Sequence, residues 1–191
     1  MTTTATLTYQ HHRGEYSEKY ISPNGFGYVA KEDGDTMLDT QQRAAIVAEA
    51  KTWLGTPYRG WSCIKGVGTD CGQILYGIFH GLGFIPAVDL PKDYSLQVSQ
   101  HRASTEYIDL VDQFFRPITE DEVQPGDLVV YELGLAIAHA AIIVEWPRYI
   151  IQAEARHGVS GSHGTKAPLF KRANRVFRTL MDEYADAQRG A

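Results

Sequence analysis

In the stretch GVGTDCGQILYGIFHGLG, residues 66–83, a cysteine stands where a glycine-rich loop turns into an apolar helical repeat. A thiol attacks as the thiolate, and its ordinary pKa of about 8.5 falls at a helix N-terminus or beside an imidazolium. Cys71 meets the first condition by position. Gly68 and Gly72 are expected to leave the space near the sulfur open to a substrate backbone. The competing reading of Cys71 is a small hydrophobe in a helix turn.

A catalytic thiol needs a base, and the chain offers His11, His12, His80, His101, His139, His157 and His163. His139 alone lies inside a buried strand-like run, IAHAAIIV, where a polar ring is costly unless it has partners. A satisfied sheet-face histidine is the alternative. If the hairpin that follows is centred on Trp146 and Pro147, Ala141 stands opposite Gln152, and His139 lies two residues along on the same face. The Gln152 amide oxygen could then accept the proton on the far imidazole nitrogen and fix the tautomer, as the third member of a triad does. A β-bulge between them would break this geometry. Taken alone, Gln152 reads as a polar side chain on an exposed sheet face.

The elements that must position these groups follow from periodicity. Asp39 with Gln42 reads as a capping box, and Ile46, Val47, Ala50, Trp53 and Leu54 form one helical stripe ended by Gly55. A second helix is expected from near Asp70, burying Ile74, Leu75, Ile78, Phe79 and Leu82. The segment STEYIDLVDQFF repeats Tyr107, Val111, Phe114 and Phe115 at helical spacing. From Pro125 onward PGDLVVYEL, AHAAIIVEW and RYIIQAEA read as strands of an antiparallel meander, with a further strand at RVFRTL and a loose end or short helix after it. ARHGVSGSHG, with His157 and His163, reads as solvated loop. Helices first and strands afterwards predict an α+β fold with N-terminal helices packed on a central antiparallel sheet.

The 191 residues, 43% hydrophobic, suffice for one core, and the net charge of −5 lacks the basic footprint of a nucleic-acid binder. No run approaches a membrane span, and MTTTATLTYQ lacks the charged and apolar regions of a signal peptide, so cytoplasmic synthesis is expected. Two cysteines are too few for a disulfide scaffold. Residues 1–37, with a tight-turn signal at Asn24-Gly25, are expected to form an N-terminal arm or hairpin, residues 38–183 the main domain and residues 184–191 a polar tail.

WLGTPYRG, GTDCGQIL, PGDLVVY, AHAAIIVEW and YIIQAEARHGV, in this order, resemble the NlpC-type cell-wall cysteine peptidases, a papain-like family, over residues 40–180. The resemblance implies that Cys71 is the nucleophile, His139 the general base and acid, and Gln152 the orienting residue. It implies that Tyr58 lies near the oxyanion or substrate and that Asp70 serves substrate-amine recognition or loop structure. The implied substrate is a peptidoglycan stem peptide, often cut between D-γ-glutamate and a diamino acid, and no cofactor is implied. PKDYSLQVSQHRASTEYID and EWPRYIIQA resemble the branch found in phage tails and tail-like particles. That likeness implies tail-tip partners and action at the cell wall.

The chain departs from the family pattern at Gln152, where many members carry His, and at Gly72, where a serine often follows the nucleophile as a substrate contact. Three other readings stand beside the peptidase. One is a structural tail-tip protein on a peptidase fold, and another is acyl transfer by the same thiol and imidazole. The third, a metal site of Cys63, Cys71 and His139, is disfavoured because the cysteines lie eight residues apart and no fourth ligand is evident.

Overall fold

The computed structural model describes residues 38–89, 106–133, 136–167, 171 and 173–187. The chain divides into residues 1–32 and residues 33–191. The hairpin expected at Asn24-Gly25 lies outside the described residues.

The first helix, α1 (Thr40–Thr52), starts as its sequence requires. Asp39 Oδ1 accepts the Gln42 amide at 2.8 Å, and Gln42 Oε1 accepts the Asp39 amide at 3.0 Å. Ile46, Ala50 and Trp53 are buried, but Leu54 is exposed. The helix has ended two residues earlier, so helical periodicity no longer sets the direction of Leu54. A two-stranded hairpin follows, β1 (Cys63–Ile64) and β2 (Gly68–Thr69), and then α2 (Gln73–Gly81), which buries Ile74, Leu75, Ile78 and Phe79.

The helix expected through Phe115 stops early. Helix α3 spans Glu106–Val111, and Phe115 opens strand β3 (Phe115–Ile118). Aromatic residues suit a half-buried strand as well as a helix face, and Pro117 is tolerated because β3 is an edge strand. The expected strands follow as β4 (Leu128–Leu133), β5 (Ala136–Glu145) and β6 (Tyr149–Glu154). Next comes β7 (Gly158–Ser162), in the segment expected to be loop, and then β8 (Asn174–Leu180). The order is β3-β8-β4-β5-β6-β7, antiparallel throughout. Helix α4 (Asp182–Ala187) closes the described chain; Ala185 is buried and Tyr184 packs edge-on to Phe114 at 5.4 Å.

Both faces of the sheet are covered. Leu128, Val130, Ala140, Ile142, Ile151 and Ala153 share a core with Ile46, Trp53, Ile74 and Ile78 of the helices. Val129, Tyr131, Ala141, Ile143, Ile150 and Phe177 form a second cluster under Ile118, Val123 and Trp146. Two buried ion pairs tie distant segments together. Arg43 bonds Asp127 at 2.9 Å, while Thr179 Oγ1 and the Gln124 amide also donate to Asp127. Arg178 grips both oxygens of Asp112 at 2.6 and 3.3 Å. Each carboxylate is thus offset by a guanidinium, which buried charge demands.

Candidate active site

Asp70 shapes the loop that carries Cys71. Fully buried, it accepts the Gly72 and Gln73 amides through Oδ1, both at 3.0 Å, and the Trp61 amide through Oδ2 at 2.7 Å. The Ile74 amide also donates to the Asp70 carbonyl at 3.1 Å, so Asp70 caps the turn leading into α2 and Cys71 stands in that turn. Cys71 is partly exposed, and neither it nor Cys63 is in a disulfide.

Tyr58 bridges to Thr69 beside this turn. Burial, followed by the nearby negative charges of Cys71 and Asp70, pushes the phenol well above its ordinary pKa. Tyr58 is therefore a neutral O–H donor near the thiol. Gly72 lines an apolar groove, partly open to solvent, with Leu75, Tyr76, Val88, Val111 and Phe114. The expectation for Gly68 is corrected: a Cβ there would meet the Arg59 side chain at 2.5 Å, so that space is filled rather than open.

His139 and Gln152 meet as the strand register requires. The Trp146–Arg148 turn sets Glu145 against Tyr149, and a one-residue shift between Ile143 and Glu145 then sets Ile142 against Ile151. Extending that register puts Ala141 opposite Gln152. A three-residue turn plus a bulge thus yields the same pairing as the two-residue turn expected from sequence. The β5–β6 ladder ends at Ile142–Ile151, and beyond it the strands are joined by side chains. His139 Nε2 lies 2.6 Å from Gln152 Oε1. The amide oxygen accepts, so Nε2 carries the proton and Nδ1 offers its lone pair.

His139 is 5% exposed and Gln152 1%. Burial holds the imidazole below its ordinary pKa of 6.5, against upward pulls from the Gln152 bond and the Glu154 charge. The ring is consequently neutral at pH 7, as a general base must be. It stands on the sheet face of Tyr131, its cross-strand partner, with ring centroids 6.1 Å apart.

Backbone bonds link the two groups of residues. The Gly55 amide donates to the Val159 carbonyl at 2.9 Å and the Val159 amide to the Thr56 carbonyl at 2.8 Å, which lays the loop before Tyr58 along β7. Gly158 has φ +67°, and a Cβ there would lie 2.5 Å from the Thr56 oxygen, so this contact requires glycine. The same loop then runs to β2 through bonds between Pro57, Arg59 and Thr69.

Cys63 points elsewhere, its thiol donating to the Gln73 carbonyl at 3.0 Å. Burial, then the Asp70 charge, pushes it up to about 11. Among the described residues no three His, Cys, Asp or Glu side chains are grouped to hold a metal ion. Two polar residues beside the His139–Gln152 pair are not among those singled out from sequence: Tyr131, next to the imidazole, and Ser162, next to Gln152, whose Nε2 lies 3.1 Å from the Ser162 hydroxyl. The β4–β5 register points to the first; the second needs β7 to be recognised as a strand.

No family model matches the chain. Over 122 residues it is 30% identical to "Probable endopeptidase p60" of Listeria grayi, which covers 63% of this chain but only 20% of that protein. A solved NLP/P60-family protein from Staphylococcus aureus, similar to lipoprotein, matches 79% of this chain and 45% of its own at 18% identity, with a TM-score of 0.53. NlpC1 from Trichomonas vaginalis matches 81% of this chain and 48% of its own at 14% identity, with a TM-score of 0.50. The chain thus spans about a fifth of the curated relative and under half of either solved structure. Its α+β architecture is the NlpC/P60 fold, as the resemblance of the motifs implied.

Proposed function

We propose that the domain is a cysteine peptidase that hydrolyses peptidoglycan stem peptides. The observation that carries this reading is the 2.6 Å bond from a buried, neutral His139 to Gln152, in an NlpC/P60 fold whose helix α2 is led by Cys71. His139 Nδ1 takes the thiol proton. Cys71 then attacks the carbonyl, and His139 returns the proton to the departing amine. Water, deprotonated by the same nitrogen, releases the acid from the thioester.

The oxyanion is held by the Cys71 backbone N–H and the Tyr58 hydroxyl; one such donor is typically worth about 3 kcal/mol of barrier. Both oxygens of Asp70 receive backbone amides, which favours a loop-structuring role over recognition of a substrate amine. The bond we favour is D-γ-glutamyl to diamino acid. The likeness to the tail-associated branch supports a component carried in a phage tail or tail-like particle among tail-tip proteins, and working at the cell wall.

Mass spectrometry of digested peptidoglycan tests activity and bond choice together. Wild-type protein should release fragments with a new amine, and Cys71→Ala should release none. Equal release by both would overturn the assignment.

A further inference from the structure

We propose that Glu154 acts on the reaction through His139: from the neighbouring strand, its carboxylate stabilises the imidazolium that forms when the ring takes the thiol proton. The catalytic part of this inference rests on the peptidase reading above.

The placement follows from strand register. Ile143 stands against Ile150 and Ile142 against Ile151. Extended through Ala141 and Gln152, the same register sets His139 opposite Glu154. Alternation puts both on one face, because Tyr131, Ala141, Ile143 and Ile150 share a cluster, and His139, Gln152 and Glu154 follow from Ala141 and Ile150 at two-residue steps. Gln152 is thus the diagonal neighbour of the ring, bonded at 2.6 Å, and Glu154 its direct cross-strand neighbour.

The two neighbours do different things. A buried ring that gains a proton becomes a cation in a poorly solvating place, and burial is the largest influence on His139. Gln152 accepts one hydrogen bond but brings no charge to offset the cation. Glu154 brings one, and its pull on the ring is upward, against burial. Its side chain is 27% exposed, so solvent screens it only in part. On β7 it faces Gly158, where the Thr56 carbonyl lies 2.5 Å from the place of a Cβ. His157, three residues on and 64% exposed, approaches the carboxylate with Nδ1 at 3.5 Å. Glu154 therefore serves two imidazoles, one at the surface and one in the sheet.

The test titrates the His139 ring by nitrogen-15 NMR, without substrate and in the Cys71→Ala background, so that no thiol titrates with it. Around the ring stand Tyr131 on β4 with Arg175 opposite it on β8, Glu154 on β6 and, under the functional reading, Cys71. Glu154→Gln keeps the size of a partly exposed side chain and removes its charge. It should move the His139 titration to lower pH. His157→Gln breaks the turn contact but keeps the carboxylate, and should leave that titration where it is or move it to higher pH. With Cys71 present, Glu154→Gln should lower kcat about two- to fivefold at constant KM, the weight of a charge pair partly open to solvent.

An unmoved titration in Glu154→Gln, or the same downward movement in His157→Gln, overturns the inference even if wild-type protein hydrolyses peptides. A moved titration with kcat unchanged overturns its catalytic part. A titration that depends on Glu154 in a protein that hydrolyses no stem peptide upholds the coupling and sinks the peptidase.

Discussion

The Trp61 amide donates to Asp70 Oδ2 at 2.7 Å, and Trp61 has φ +57°, a left-handed conformation that side chains other than glycine rarely adopt. One carboxylate therefore stabilises a strained turn and caps the approach to α2. Asp70→Ala should cost about 2–4 kcal/mol of unfolding free energy, since hydrogen bonds to a charged group contribute about 1.5–3 kcal/mol each and relaxation recovers part. Asp70→Asn should cost less, because an amide oxygen still serves Gly72 and Gln73. Denaturant titration checks both, and an Ala variant as stable as wild type would remove Asp70 from this role.

The buried imidazole makes stability depend on pH in a known direction. Its folded pKa lies below the ordinary 6.5, so the unfolded chain takes up a proton first as the pH falls. The stability it contributes is complete above 6.5 and is lost on acidification until the folded pKa is passed. Relative to His139→Gln, wild-type protein should lose up to about 1.4 kcal/mol per pH unit in that window. Parallel stability curves for the two proteins would contradict this.

The two thiols should differ in reactivity. With Cys63 pushed up to about 11, its thiolate fraction at pH 8 falls at least about a hundredfold below that of an ordinary thiol. Iodoacetamide should therefore label Cys63→Ser at the wild-type rate and Cys71→Ala about a hundredfold more slowly than an ordinary thiol. Labelling of Cys63 ahead of Cys71 in wild-type protein, read by peptide mapping, would refute this.

Removing one partner of a buried pair strands the other. Arg43→Met leaves the Asp127 carboxylate with Thr179 and the Gln124 amide but without its guanidinium, and should cost about 3–5 kcal/mol. Arg43→Met with Asp127→Leu should recover much of that loss. Additive melting data for the double variant would mean the two residues are not coupled.

Much of the site could be read before any coordinates, because its geometry is set by short-range rules. The capping pair Asp39 and Gln42, the loop-to-helix position of Cys71 and the diagonal from His139 to Gln152 follow from helix and strand periods. What resisted reading had weak or divided local signals. GVSGS lacks β-branched residues apart from Val159, yet it pairs along β6 from Ile150 to Glu154. With that strand unrecognised, Ser162 had no visible connection to the imidazole. Phe115 satisfied helical spacing from Val111 but pairs with Leu180, and no local pattern announces a partner so far along the chain. The Arg59 side chain beside Gly68 is likewise a tertiary contact, invisible to spacing.

The position of β8 between β3 and β4 has a consequence for biosynthesis. Until Asn174–Leu180 has left the ribosome, β3 has no neighbour, β4 has an open edge, and Thr179 has not reached Asp127. A nascent chain can assemble the hairpin bearing His139 and Gln152, but it cannot close the sheet. Closure of the sheet waits for this late strand, and the thiol is made long before the framework around it is whole.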